Sequence, residues 1–109
     1  MNITMTLDEV YNLALNTLKD AGASAENAAS VAKSTWRAER DGIRSHGLMY
    51  VPLYAEHVRC GKVVGDAAPV VSQPRAGAVS GDAKHGFAHA ASDAGREGFT
   101  AAARAHGVA

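Results

Sequence analysis

A serine and a histidine stand side by side between two glycines, and this stretch has the residue types that could do chemistry. Ser45 and His46 fall between Gly42 and Gly47, where the chain is expected to turn tightly. A hydroxyl and an imidazole on such a turn can point into one pocket. Because an imidazole titrates near neutral pH, we interpret His46 as a general acid. The alternative is that Ser45 only caps a helix.

Two helices are predicted to position this turn. Thr6 and Glu9 have the spacing of a capping box, and Gly22 is suited to end the first helix. A second helix is expected from Ser24 toward Asp41. Because two or three residues join these helices, we expect an antiparallel hairpin whose far end delivers the Ser-His turn.

A third helix is predicted from about Met49 to Cys60. Pro52 has to lie in its first turn, since proline lacks the N–H that a later position would use. Tyr50 and Tyr54 are four residues apart and should share one face of this helix. Their plainest role is a packed pair with exposed hydroxyls.

The second half of the chain has a different pattern. Prolines and glycines from Lys62 to Gly81 separate short β-prone runs, which predict one or two strands. An alanine-rich helix is expected from about Gly86 to His106, and Val108-Ala109 reads as the start of a strand. The helix contains Gly95 and Gly98, so a neighbouring element is expected to approach it closely there, since glycine weakens a helix.

Composition points to one small domain with a thin core. Of 51 hydrophobic residues among 109, 23 are alanine, whereas Ile, Leu, Val and Phe together number 20. Alanine contributes few buried methylene groups, at roughly 0.8 kcal/mol each. We therefore expect the chain to be stabilised as a layer against more protein.

Charge and cysteine content exclude several classes of protein. Lys and Arg number 11, as do Asp and Glu, so we expect no nucleic-acid partner. No apolar run approaches the ~20 residues of a membrane span, and the first residues lack the pattern of a signal peptide, which predicts a cytoplasmic protein without membrane contact. The single cysteine, Cys60, suits a reducing compartment and is expected to be a small buried or half-buried residue.

Two further patterns are weak. His85 and His89 have the spacing of a helical metal pair, but only Asp82 or Asp93 could complete a ligand set, and we expect no metal. The segment from Gly81 to Gly86 matches neither common phosphate-loop pattern. It is more simply a turn that leads into a helix.

The run from Ala38 to Gly47, AERDGIRSHG, followed by Tyr54 and Gly61, resembles the signature of one dehydrogenase family. This is the malate/L-lactate dehydrogenase family of the non-Rossmann type, which includes ureidoglycolate, sulfolactate and cyclic imino-acid oxidoreductases. The resemblance implies a homodimer that interconverts 2-oxo and 2-hydroxy acids with NAD or NADP. It gives no cofactor-binding residue in this chain.

Carried over by position, the resemblance makes His46 the acid-base residue and Ser45 its neighbour in the substrate pocket. It also places Tyr54 near the substrate. The chain departs from the family at Tyr50, where many members have an arginine that can grip a carboxylate. A phenol cannot form a bidentate ion pair, so Arg44 or a residue elsewhere would have to substitute.

These observations predict an α-rich α/β fragment without a Rossmann fold. Residues 1–61 would form the helical segment with the Ser-His-Gly turn, and residues 62–109 the incomplete start of a catalytic domain. We expect the N-terminal part of a longer dehydrogenase, inactive by itself. The competing class is a non-catalytic helical module that binds a partner through its alanine-lined face.

Overall fold

A computed structural model describes residues 2–109, and its architecture is mainly helical with one small antiparallel sheet. The α-rich fold with short strands is confirmed. The elements in chain order are α1 (Leu7–Ala21), α2 (Ala25–Arg40), two 3-10 turns (Arg44–His46 and Leu48–Tyr50), α3 (Val51–Arg59), β1 (Val70–Arg75), β2 (Ala78–Asp82) and α4 (Ala88–His106).

The predicted helical hairpin is confirmed, and local side chains set its ends. Thr6 and Glu9 form the capping box, in which the Glu9 carboxylate accepts the Thr6 N–H at 2.7 Å. Gly22 ends α1 in the left-handed region with φ 115°. Ser24 then caps α2 by accepting the N–H of Asn27 at 3.2 Å. α1 and α2 pack against each other along their length.

The core joins α1, α2 and α3 and is rich in alanine, as the composition predicts. Five of its nine buried residues are alanine. Leu18 and Val31 are the largest fully buried apolar side chains, and Phe87 closes the cluster from the segment before α4. Since small side chains bury little area, each larger residue carries an unusual share of the apolar stabilisation.

Buried Asn27 ties the loop after α3 to the hairpin. Its side-chain amide donates to the carbonyl oxygens of Gly65 and Ala67, both at 2.9 Å. The N–H of Ser24 also donates to the Gly65 carbonyl. The boundary drawn between residues 61 and 62 stays a prediction.

The two strands form an exposed hairpin whose second strand lies against α4. Gly95 and Gly98 face the methyl groups of Val79, where an added Cβ would lie 3.7 Å away. That is an ordinary contact distance, so the expected close approach is not tight enough to require glycine. The strand pairs are Val70 with Asp82, Val71 with Gly81, Ser72 with Ser80, and Arg75 with Ala78.

Several sequence-based bounds and environments differ from the structure. α3 begins at Val51, after a separate 3-10 turn, and α4 begins at Ala88. Val108 and Ala109 do not form a strand. Cys60 is exposed, because the C-cap of α3 faces solvent, so the expectation of a buried or half-buried thiol was wrong. In residues 2–109 no helix combines the length and apolarity that crossing a bilayer needs.

Candidate active site

The Ser-His turn begins where α2 ends. Asp41 is the C-cap of α2, and Gly42 follows in the left-handed region with φ 75°. The N–H of Ile43 returns to the carbonyl oxygen of Ala38 at 2.7 Å. This arrangement satisfies a carbonyl at the helix end and reverses the chain into the 3-10 turn Arg44–His46. The helix end therefore fixes where the turn starts.

Ser45 and His46 form a hydrogen-bonded pair on the surface. The hydroxyl oxygen of Ser45 lies 2.8 Å from Nδ1 of His46, and both residues are exposed. Because Nδ1 is engaged by the hydroxyl, Nε2 is the ring nitrogen left for another molecule. The ring that can act as an acid is the imidazolium, in which both nitrogens carry a proton: Nδ1–H then donates to the Ser45 hydroxyl, and Nε2–H is left to be transferred. The pair thus has the geometry of an oriented proton donor.

Glu39 fixes the other end of the turn. Its carboxylate accepts the N–H of Leu48 at 2.8 Å. Gly47 is buried against the same carboxylate, and a Cβ at Gly47 would lie 2.6 Å from the Glu39 carboxylate carbon. Gly47 is therefore needed for space. Sequence reasoning gave Glu39 no role, although it lies in the quoted signature run.

An aromatic cluster follows the turn. The rings of Tyr50 and Tyr54 stack with centroids 5.9 Å apart, as expected for a packed pair. Tyr54 also meets Phe87 and His89 edge to face, each at 5.8 Å. The cluster connects α3 to the first residues of α4. Phe87 and His89 were not predicted to lie beside Tyr54, because their separation in sequence gives no periodic signal.

His89 differs from the other members of the cluster because it is polar and half-buried. Its Nδ1 is buried and has no hydrogen-bond partner among residues 2–109. Burial lowers the pKa of His89 below its usual value, and the nearby charge of Asp93 offsets part of that effect. The ring therefore favours its neutral form.

Some charged groups beside the turn form ion pairs, and one does not. Arg40 donates to both carboxylate oxygens of Asp41, at 2.7 and 3.1 Å. The hydrogen bond from Arg40 lowers the pKa of Asp41. Arg44 is exposed and has no ion-pair partner within 4.0 Å among residues 2–109. Arg44 is thus the cation of this turn that a substrate carboxylate could engage.

The histidine pair considered for a metal is not a helical pair. His85 precedes α4 and has a φ of 63°, whereas His89 lies inside the helix. The expected i, i+4 geometry was wrong because Phe87, not an earlier residue, is the N-cap of α4. Within residues 2–109, no three side chains of His, Cys, Asp or Glu are grouped as metal ligands would be.

The turn lies on open surface. Four clefts of about 350 to 620 Å³ are lined by other residues, mostly on α2, α4 and the strands. Arg44, Ser45 and His46 are brought together by one 3-10 turn, and Tyr50 lies at the end of the next one. Tyr54 stacks on Tyr50.

Comparison with known proteins agrees with this arrangement. The sequence pattern of the family described as malate/L-lactate dehydrogenase matches residues 5–109. The chain belongs to this family. Among its relatives, Δ1-pyrroline-2-carboxylate reductase of Ancylobacter novellus is 38% identical over 107 residues, which are 98% of this chain and 31% of that protein. The (2R)-3-sulfolactate dehydrogenase (NADP+) of Chromohalobacter salexigens is 36% identical over 99% of this chain and 32% of its own length.

Two solved structures contain the same fold. Δ1-piperideine-2-carboxylate reductase of Pseudomonas syringae pv. tomato superposes with a TM-score of 0.88 and 34% identity, covering 95% of this chain and 31% of the other. Malate dehydrogenase of Entamoeba histolytica has a TM-score of 0.85 at 20% identity and shows the fold alone, over 97% of this chain and 30% of that one. The chain spans about a third of the length of each of these proteins.

Proposed function

We propose that this chain supplies the acid-base part of an NAD(P)-dependent oxidoreductase that interconverts a 2-oxo acid and a 2-hydroxy acid or reduces the related cyclic imino acid. The observation that carries the proposal is the 2.8 Å pair of Ser45 and His46 on an exposed turn. Membership of the dehydrogenase family supports an oxidoreductase over a non-catalytic helical module. Pyrroline-2-carboxylate and sulfolactate, named for two relatives, are both small acids of this kind.

The step assigned to this chain is a proton transfer. As the carbonyl carbon gains a hydride, negative charge grows on the oxygen, and the protonated ring of His46 gives it the Nε2 proton and becomes neutral. The C=O bond becomes CH–OH, and in an imino acid the ring nitrogen receives the proton instead. Ser45 orients the imidazole through Nδ1, so that Nε2 faces outward. A well-placed acid of this kind contributes about 100- to 10,000-fold in rate.

A nicotinamide cofactor, when bound, supplies the hydride. Residues 2–109 contain no glycine-rich loop of the dinucleotide-binding pattern, and no side chain of the Ser-His turn is assigned to the cofactor. The printed name of the sulfolactate relative specifies NADP+, which supports NADP as one of the two candidates. The proposal for this chain is limited to holding the substrate and moving the proton.

The substrate carboxylate is proposed to meet Arg44. Tyr50 occupies the position of the family arginine and stacks on Tyr54, so it offers a flat aromatic face and no positive charge. Arg44 is in the same 3-10 turn as His46 and is unpaired among residues 2–109. An arginine can engage both carboxylate oxygens, which a phenol cannot.

Further protein surface is proposed to complete the site. Met49 is 68% exposed, Leu53 45% and Phe99 50%, and exposed apolar side chains favour contact with more protein. These surfaces support the proposed homodimer. Because nicotinamide cofactors are kept inside the cell, the proposal also includes a cytoplasmic location.

The decisive experiment is a chimera in which this chain replaces the corresponding N-terminal third of the P. syringae reductase, whose fold it matches over 95% of its length. Reduction of Δ1-piperideine-2-carboxylate, pyruvate and oxaloacetate by NADPH and NADH is followed at 340 nm. We expect turnover by the chimera and a roughly 100-fold or larger loss of kcat in His46→Gln. His85→Gln is the matched control, since His85 is exposed and lies outside the turn.

Two results would count against the proposal. A His46→Gln chimera with normal kcat would remove the acid assignment. A chimera that is folded by circular dichroism, yet reduces none of the substrates while the parent reductase does, would remove the oxidoreductase function. Arg44→Gln tests the carboxylate contact separately and should raise KM more than it lowers kcat.

A further inference from the structure

A second polar cleft lies between α2 and α4, away from the Ser-His turn. Its volume is about 370 Å³, enough for a small ion and several waters. Three cationic side chains line it: Lys33 and Arg37 from α2 and Arg96 from α4. Its acidic residue is Asp93, and serine hydroxyls from both helices complete the polar lining.

The positive charge in this cleft exceeds the negative charge. Asp93 already has three partners: Ser30 at 2.6 Å, Arg96 at 2.9 Å and Lys33 at 3.4 Å. Arg37 has no carboxylate oxygen within 4.0 Å among residues 2–109, although the charge of Asp41 outside the cleft acts on it. Three cations against one carboxylate leave a net charge of two positive units within the lining. An anion in the cleft would be attracted by this excess.

His89 lines the same cleft, although its Nδ1 is shielded from solvent and has no hydrogen-bond partner among residues 2–109. The ring is therefore a reporter of what enters the cleft and is not counted among the groups that would hold a ligand. The cations and the serine hydroxyls are the donors that line the cleft.

We propose that the cleft between α2 and α4 binds a phosphate group, held by Arg37, Lys33 and Arg96 with the serine hydroxyls of the lining as additional donors. Phosphate fits because it carries up to two negative charges and several acceptor oxygens, which match two excess cations and nearby hydroxyl donors. The site is independent of the proposed oxidoreductase activity, since the proton-transfer pair on the Ser-His turn is not part of it.

The test is a titration of the chain with inorganic phosphate at constant ionic strength, followed by the amide and imidazole signals in NMR spectra. We expect saturable shifts confined to α2 and the first half of α4, including the ring of His89. Arg37→Gln should weaken binding by roughly tenfold, as expected for loss of a charge-assisted hydrogen bond. Arg75→Gln removes the same charge from the exposed strand β1 and should leave binding unchanged.

Titrations with two further compounds establish the class of ligand. Adenosine monophosphate that binds at the same residues more tightly than phosphate would support a site for a phosphate carried on a larger molecule. Adenosine binding equally well would overturn the proposal, since it has no phosphate. Equal weakening by Arg75→Gln, or shifts that follow every basic residue without saturation, would also overturn it.

Discussion

Two histidines of this chain occupy opposite kinds of environment. His46 is exposed on a 3-10 turn, and its Nδ1 is engaged by the hydroxyl of Ser45. His89 is half-buried between the rings of Tyr54 and Phe87, and its Nδ1 has no partner among residues 2–109. The first ring is oriented by a neighbour in sequence, and the second by residues from other elements.

The difference shows how surroundings decide what an imidazole can do. An exposed ring with one nitrogen engaged presents the other nitrogen to an incoming molecule, as a proton donor must. A half-buried ring has a lowered pKa because burial disfavours the imidazolium, so His89 is suited to hydrogen bonding as a neutral group. Residue type alone does not separate these two roles.

The largest effect is predicted for a substitution that disturbs the turn holding His46. In Gly47→Ala the new methyl group would collide with the carboxylate of Glu39 and displace it from the N–H of Leu48. We expect a loss of about 2 kcal/mol in the free energy of unfolding, from overpacking and a lost hydrogen bond. Urea denaturation measures it, and amide spectra should show residues 44–50 displaced while the signals of α4 stay in place.

Gly77→Ala is the matched control, since an added Cβ there would find its nearest atom at 3.8 Å. It should change stability by at most a few tenths of a kcal/mol. Equal stability of the two alanine variants would contradict this prediction. If Gly47→Ala disturbed the His89 signals as much as those of His46, the Ser-His turn and the surroundings of His89 would not be structurally independent.

The local parts of the fold were predictable because a few neighbouring residues determine them. The capping box of Thr6 and Glu9, the left-handed Gly22 and the cap at Ser24 fixed α1 and α2 within one or two residues. The start of α4 was harder to locate, because Lys84 and His85 adopt positive φ angles that their residue types do not indicate. Such conformations are uncommon for residues other than glycine.

The candidate site shows the same distinction between features set by neighbouring residues and features set by distant ones. The Ser45-His46 pair was predictable because its members are adjacent and flanked by glycines. The roles of Glu39 and His89 were not, because each depends on a contact between separate elements. The exposure of Cys60 was missed for a related reason: burial at a helix end depends on what packs beside it. Spacing alone does not contain this information.

A smaller effect is expected from Asp93→Asn, which removes the carboxylate beside His89. Burial tends to raise the pKa of Asp93, but the hydrogen bond from Ser30 and the charges of Lys33 and Arg96 outweigh it, so that the pKa lies below its usual value. Asp93→Asn should cost about 1 kcal/mol in the free energy of unfolding at neutral pH, because it weakens the links between α2 and α4.

This contribution is present above the unfolded-state pKa of Asp93 and is lost as the pH falls through its lowered folded-state pKa. The difference between wild type and Asp93→Asn in urea denaturation should therefore shrink in acid. Asp82→Asn is the control, since Asp82 bonds only Lys84 within its own turn. An Asp93→Asn difference no larger than this control would show that the carboxylate does not join the helices.

The smallest predicted effect is a pH dependence that His89 has and His89→Phe lacks. Because the folded-state pKa of His89 is lowered, the unfolded chain takes up the proton first as the pH falls. The contribution of His89 to the free energy of unfolding should be constant above its unfolded-state pKa of about 6.5. Below that pH it should fall, until the pH passes the lowered folded-state pKa. The decline is limited to about 1.4 kcal/mol per pH unit for one proton. Urea midpoints from about pH 5 to pH 8 should separate wild type from His89→Phe. Parallel curves for wild type and His89→Phe would mean that the buried ring does not resist protonation, and the contrast between the two histidines would then be one of position alone.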